Sequence, residues 1–479
     1  MSVRLLLYRF SRIARAVMYN KKSHIHFVGI GGIGMSGIAT ILRYQGYTIS
    51  GCDLDLDQSS VRRLKEIGCS VHKGNNTSAC HDRSIDTVVY SSAIQSSNPE
   101  IQAAQQRAIP TIPRALMLAE LMRMKYSIAI AGSHGKTTTT SLISHILMEA
   151  QFDPTVIIGG HLKTISNNAR IGNGDFLVAE ADESDRSLLS LYATLAIITN
   201  IDLEHLETYR DLDDIKQTFK QFLSNLPFYG TAILCIEDEN IQSLLPISNT
   251  KTILYGLSDR ADLWATNIEL QADHSTFTLR HQQATEPLGT ITINMPGQHN
   301  VLNALAAITL AQELAIPLPT TAAALKTFKG IERRFSYHGR YKGAELFDDY
   351  GHHPTEIAYT LQVAKKRARN KLIVVFQPHR YSRTHKLWDQ FLKAFQESEI
   401  DHLVITDIHP ASEAPIPGIT GKQLAQTLQA CNPPFTVSYA PLEADFCSIK
   451  QKLEITAQKD DLVLLLGAGK INKLVKAIK

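Results

Sequence analysis

The run AGSHGKTTTT, Ala131 to Thr140, follows the apolar stretch YSIAI and places Gly132, Gly135, Lys136 and Thr137 where a strand turns into a helix. Glycines there let backbone N–H groups wrap a phosphate, the lysine reaches β and γ oxygens, and the first threonine offers a hydroxyl to Mg2+. Ile130 stands where the common G-x-x-x-x-G-K-T loop begins, so this is a shortened loop. A triphosphate needs a metal with hard oxygen ligands. Two acid-rich strand ends follow: DFLVAEADESD, with Glu180, Asp182, Glu183 and Asp185, and LAIITNIDLEH, with Asp202, Glu204 and His205. Both are expected to face the loop.

A second cradle precedes the first. Gly29-x-Gly31-x-x-Gly34 follows the strand-like HIHFV, and Asp53 ends another strand 19 residues beyond Gly34. Bare backbone amides and a helix N-terminus favour a nucleotide diphosphate, and the motif alone fits NAD and a UDP-sugar equally. Further on, Asp349, Tyr350 and His352 of FDDYGHHPTE end a strand before a Pro-started helix, where loops present reactive side chains. His353, next to Pro354, reads as structural. Arg380 and Arg383 of VVFQPHRYSRT stand three apart beyond another strand, suited to clamp a carboxylate or phosphoryl group.

Positioning these groups requires α/β architecture. HIHFVGIGGIG, YSIAIAGSHG and DLVLLLGAGK each read as a strand-to-helix turn, and helical stretches such as NVLNALAAITLAQELA alternate with strands such as TLAIITN and KLIVVFQ. A chain of 479 residues predicts about three domains. The expected cuts, near 113 and 334, give units 23–113, 114–334 and 335–479 after a basic leader, 1–22. That leader carries four Arg and two Lys and reads as a targeting segment, an amphipathic tail, or a stretch upstream of a start at Met18. Its apolar run is far too short to span a membrane. With 49 basic and 46 acidic side chains there is no electrostatic footprint of a nucleic-acid binder, while small acidic ligands stay open. Six cysteines without a C-x-x-C pair point to reduced thiols in the cytoplasm.

Taken together, HFVGIGGIGMSGIA, AGSHGKTTTT, EADESD, GQHNVLNALAA, RRF, DDYGHHPTE and QPHRYSRT resemble the Mur ligase family, ATP-dependent amide-forming enzymes of peptidoglycan synthesis. The resemblance implies an N-terminal Rossmann-like UDP-binding domain, a central P-loop ATPase with a mostly parallel sheet, and a C-terminal Rossmann-like domain that closes over both. It implies joining of L-alanine to UDP-N-acetylmuramate with ATP and Mg2+, or Mn2+ in its place, by a monomer or homodimer. Gly31, Gly32, Ile33, Gly34 and Met35 would meet the UDP pyrophosphate, Asp53 the ribose, and Ser91, Ser92 and Ser184 the same sugar nucleotide. Gly132, Ser133, His134, Gly135, Lys136, Thr137 and Thr138 would surround the ATP phosphates, with His299, Asn300, Asn303, Arg334 and Asp349 lining the rest of that pocket. Thr137, Glu180 and His205 would hold the metal. Tyr350, His352, Arg380 and Arg383 would receive the amino acid, His352 as base. Two departures stand out: Arg186 where the family usually has glycine, and Glu204 and Glu207 where aspartates usually flank His205. The remaining alternatives are the related ligase that attaches a recycled tripeptide to the same sugar, a nucleotide-gated binding module without catalysis, and an NAD-dependent reductase. The reductase leaves the lysine loop unexplained.

Overall fold

Each of the three glycine-ended apolar runs is a buried strand in a different sheet: His24–Val28, Tyr126–Ala131 and Leu462–Leu466. The computed structural model describes residues 24–74, 82, 84–91, 93–162, 167–247, 250–411 and 413–478; the basic leader and Ser92 lie outside them.

The first sheet is five parallel strands in the order Ser70–Lys73, Thr48–Asp53, His24–Val28, Ile85–Tyr90, Thr111–Pro113. Its strand order reverses beside His24–Val28, which puts the first glycine loop and Ser91 at the topological switch point where such sheets bind ligands.

The central sheet has ten strands. Tyr126–Ala131, which leads into the lysine loop, lies between Phe176–Glu180 and Leu195–Ile198, parallel to both. All three therefore end at one edge, so the acids after Glu180 and Ile198 face the loop as expected. The helix Lys136–Glu149 leaves the loop and is buried along most of its length against the sheet and the helix Gln298–Glu313. Two of its serines bond back to the helix: Ser141 donates to the Thr137 carbonyl and Ser144 to the Thr140 carbonyl, each at 2.7 Å. Antiparallel pairs not foreseen from the sequence finish both ends of the sheet. Leu263–Leu270, Ser275–His281 and Gly289–Ile293 form a meander on one side, and Thr155–Leu162 pairs with Asn167–Arg170 on the other.

The third sheet has six strands in the order Ser336–Tyr341, Ala344–Asp349, Leu462–Leu466, Leu372–Phe376, His402–Ile405, Thr436–Tyr439, with only the first pair antiparallel. One apolar cluster runs continuously from Ile25 in the first sheet through the central sheet to Ile331. Two separate clusters, between Ala344 and Val475, cover the faces of the third sheet. The first two domains are thus welded by a common core, whereas the third carries its own.

Ile197 is fully buried in the strand beside the lysine-loop strand. Ile197→Ala is expected to cost about 2–5 kcal/mol of stability, read as a lower urea midpoint, while the exposed Glu286→Ala leaves the midpoint in place.

Candidate active site

Gly132 and Gly135 have φ of +125° and +85°, left-handed values that L side chains rarely adopt. A Cβ at 132 would also collide with the Thr199 hydroxyl, so the loop needs glycine there twice over. The loop is stapled to the neighbouring strand end. The His134 amide donates to Asn200 Oδ1 at 2.8 Å, and the Thr199 hydroxyl donates back to the His134 carbonyl at 2.6 Å. Gly135 then opens the helix Lys136–Glu149, whose N-terminal amides point at the site. Lys136 folds over the loop toward the Gly132 and Ser133 carbonyls and ends 2.8 Å from Glu183 Oε1. Burial opposes its charge, and Glu183 more than restores it, raising the ammonium pKa.

Glu183, Glu204 and His205 place one potential ligand atom each within 4.8 Å of one another. His205 Nε2 lies 3.3 Å from Glu183 and 3.7 Å from Glu204. Against burial, the surrounding acids push the imidazole pKa up to about 9. Glu183 Oε2 is buried without a hydrogen-bond partner. Such an orphaned carboxylate oxygen fits a ligand to a cation. Glu180 lines the same cavity as this cluster, while Glu183, standing in the same acid run, forms the direct contact with His205.

Two cavities meet at the loop. One, of about 440 Å³, is lined by Gly32, Ile33, Gly34, Met35 and Ser91 of the first domain, by Ser133, Lys136, Thr137, Glu180, Ser184 and His205 of the central one, and by Tyr350 and His352. The second, of about 680 Å³, is lined by His134, Thr138, His299, Asn300, Asn303 and Asp349, together with the aromatic rings of Tyr255 and Tyr359. Gly135, Arg334 and Glu356 border both. The two glycine cradles therefore open onto connected spaces. Asp349 accepts the Phe335 amide at 2.8 Å and the Gly351 amide at 2.7 Å, and burial raises its pKa to about 6 despite Arg334.

His352 sits with Nδ1 3.1 Å from the Tyr350 carbonyl and 3.3 Å from Glu356. Burial pushes its pKa down to about 4, so the ring is neutral near neutral pH. His353 is structural as read: fully buried, it caps the helix Pro354–Arg367 in a capping box with Glu356.

Several expected contacts are arranged differently. Asp53 turns inward, and its Oδ2 accepts the Gly31 amide at 2.8 Å, so it braces the first loop. Arg383 and Arg380 reach across to the central domain, each 3.2 Å from an acid, Arg383 from Glu204 and Arg380 from Glu207. Arg186 has φ of +60°, which accounts for glycine being usual there. Its guanidinium pairs with Asp214 and lies 4.7 Å from the centre of the Tyr209 ring. Glu356, not singled out from the sequence, and Asp202, from the second acid run, complete the site. Glu356 stands 3.6 Å from Arg334 and 3.7 Å from His134, and Asp202 stands 2.9 Å from His134. Glu356 was visible as the fourth residue of the HPTE signature, but its partners come from distant segments.

Three family models match most of the chain: "Mur ligase family, catalytic domain" over residues 24–126, "Mur ligase middle domain" over 130–311 and "Mur ligase, glutamate ligase domain" over 333–469. The chain is 49% identical to the UDP-N-acetylmuramate–L-alanine ligase of Syntrophotalea carbinolica, covering 96% of this chain and 98% of that protein. It is also 49% identical to that of Geotalea uraniireducens, over 95% and 97%. Among solved structures, the UDP-N-acetylmuramate-alanine ligase of Thermotoga maritima superposes with a TM-score of 0.78 at 27% identity, covering 95% of this chain and 98% of that one. A murein peptide ligase of Psychrobacter arcticus gives 0.70 at 25% identity with the same coverage. By fold, by site and by these matches across its three domains, the chain belongs to the Mur ligase family.

Proposed function

We propose that the protein joins L-alanine to the lactyl carboxylate of UDP-N-acetylmuramate at the expense of ATP, a step in making the peptidoglycan precursor. The observation that carries this reading is the meeting of the two cavities at Gly135: one runs back to the sugar-nucleotide cradle, the other is sized for a nucleotide. The near-full-length relatives that bear this activity in their names support it.

A carboxylate oxygen is a poor leaving group, so direct amide formation in water is slow and uphill. The lactyl carboxylate would attack the γ-phosphorus of ATP in line, expelling ADP and forming an acyl phosphate. Lys136 would leave Glu183 for the transferring phosphoryl oxygens. The alanine amine would then attack the acyl carbon, and the tetrahedral adduct would expel phosphate. His352, neutral through burial, would accept the amine's proton; anionic substrates beside it raise its basicity. Arg380 and Arg383 are the candidates for alanine's carboxylate, which must displace Glu207 or Glu204 from them. Thr137, Glu180, Glu183, Glu204 and His205 would hold Mg2+, or Mn2+, which accepts an imidazole more readily. Bound there, the cation supplies charge neutralisation for the phosphates. Among the described residues no helix is long and apolar enough to cross a membrane, and the soluble nucleotide substrates make the cytoplasm the proposed compartment.

Phosphate release is expected only when ATP, UDP-N-acetylmuramate, L-alanine and a divalent cation are all present, and chelation should stop it. Equal release without alanine would refute the ligase reading, and a faster rate with the tripeptide than with alanine would favour the recycling enzyme. Lys136→Ala should lower turnover at least about a hundredfold while UDP-sugar binding, followed by calorimetry, persists. Gly132→Ala should weaken binding of a non-hydrolysable ATP analogue more than about tenfold and leave UDP-sugar affinity unchanged.

A further inference from the structure

Thr355 and Asp202 lie 153 residues apart and meet across the boundary between the central and C-terminal domains, the threonine hydroxyl donating to Asp202 Oδ2 at 2.8 Å. The same carboxylate oxygen stands 2.9 Å from His134 Nε2 and 3.6 Å from His353 Nδ1. The backbone amide of Asp202 donates to the Ser133 hydroxyl at 2.8 Å. One residue therefore touches two successive members of the phosphate loop and two residues at the start of the C-terminal helix Pro354–Arg367. His134 is held from both domains as well, since its Nδ1 faces Glu356 at 3.7 Å.

We propose that Asp202 is a positioning residue that couples docking of the C-terminal domain to the shape of the phosphate loop, with the Thr355 hydroxyl as the contact that registers docking. With the C-terminal domain away, Asp202 loses the hydroxyl and His134 loses Glu356. The carboxylate then keeps the Leu203 amide on Oδ1, at 2.7 Å, and the imidazole on Oδ2, while the imidazole keeps only the carboxylate, so the ring is held from one domain alone. With the domain docked, the hydroxyl and the imidazole converge on Oδ2 while the Leu203 amide holds Oδ1, so both carboxylate oxygens are fixed and the imidazole is held from both sides. Charge favours this: burial opposes it, but the ring's hydrogen bonds to the Asp202 and Glu356 carboxylates lift the His134 pKa to about 10, so the oxygen receives a charged donor. The coupling would make phosphoryl transfer efficient only once the cleft has closed, when water can no longer intercept the acyl phosphate. This inference rests on the ligase reading for its kinetic test.

The probe is Thr355→Val, which keeps the shape and removes the hydroxyl, with Thr355→Ser as the rescuing variant. For Thr355→Val the expectation is a fall in kcat of about tenfold or more. Affinity for a non-hydrolysable ATP analogue, measured without the other substrates, should change less than about twofold, because the loop binds ATP before docking. Thr355→Ser should recover most of the rate. Wild-type kcat in the valine variant, or a serine variant as slow as the valine one, would overturn the coupling. Should the wild type itself show no alanine-dependent phosphate release, the ligase reading fails, and small-angle scattering then decides the coupling separately. A larger radius of gyration in ligand-free Thr355→Val than in wild type supports it, and an unchanged radius overturns it.

Discussion

A buried ammonium needs a counter-charge, and Lys136 finds it in Glu183 at 2.8 Å before any phosphate arrives. Leaving either ion unpaired would cost several kcal/mol, so the pair fixes what can surround it. Glu183 faces His205, His205 faces Glu204 and Glu207, and these acids face Arg383 and Arg380. A second chain of alternating charge runs from Asp202 through His134 and Glu356 to Arg334. Opposite charges thus tile the cleft between the central and C-terminal domains. A phosphate chain and a cation can enter such a lattice by exchange, the anion replacing Glu183 on Lys136 and the cation replacing Lys136 on Glu183, with no charge left alone at any stage.

The distribution of apolar surface explains why this lattice lies where it does. A common core welds the first two domains, so the two cradles keep a fixed relation. The C-terminal domain has its own two clusters and meets the central domain through Thr355, Glu356, Arg380 and Arg383. Ion pairs and single hydrogen bonds are worth little individually and are exchangeable with water. A domain attached in this way can move without exposing a hydrophobic core.

What the sequence disclosed and what it hid follow the range of the interactions. The phosphate loop is local: Gly132, Gly135, Lys136 and Thr137 sit within six residues, and their chemistry is carried by type and spacing. The sheet carrying it follows from apolar runs that are buried on both faces. The meander from Leu263 to Ile293 went unread although STFTLRH alternates and the strand Ser275–His281 buries every other residue at its start; alternation marks a strand but leaves its direction and partners open. The inward turn of Asp53 onto Gly31 depends on a side-chain rotamer, which no motif specifies. The choice of Glu183 over Glu180 for the His205 contact depends on how the chain bends after Glu180. The partners of Arg380 and Arg383 lie 173 and 179 residues away, beyond any reading of spacing.

Glu204 and Glu207 show how a departure from a family pattern acquires meaning only in three dimensions. Against the aspartates usual there, each adds one methylene beside His205. Glu204 uses the extra reach to serve two partners with separate oxygens: Oε2 lies 3.7 Å from His205 Nε2 and Oε1 lies 3.2 Å from Arg383. Glu207 divides itself differently, its Oε1 lying 3.6 Å from His205 Nδ1 and 3.2 Å from Arg380. A carboxylate drawn toward a cation at Glu183 and His205 loses part of its hold on the arginine behind it, because its charge is shared between the two. The longer acids therefore place the two arginines under the influence of the same cluster that would hold the metal, and the groups that meet the phosphates and the groups available to an incoming carboxylate become parts of one electrostatic unit.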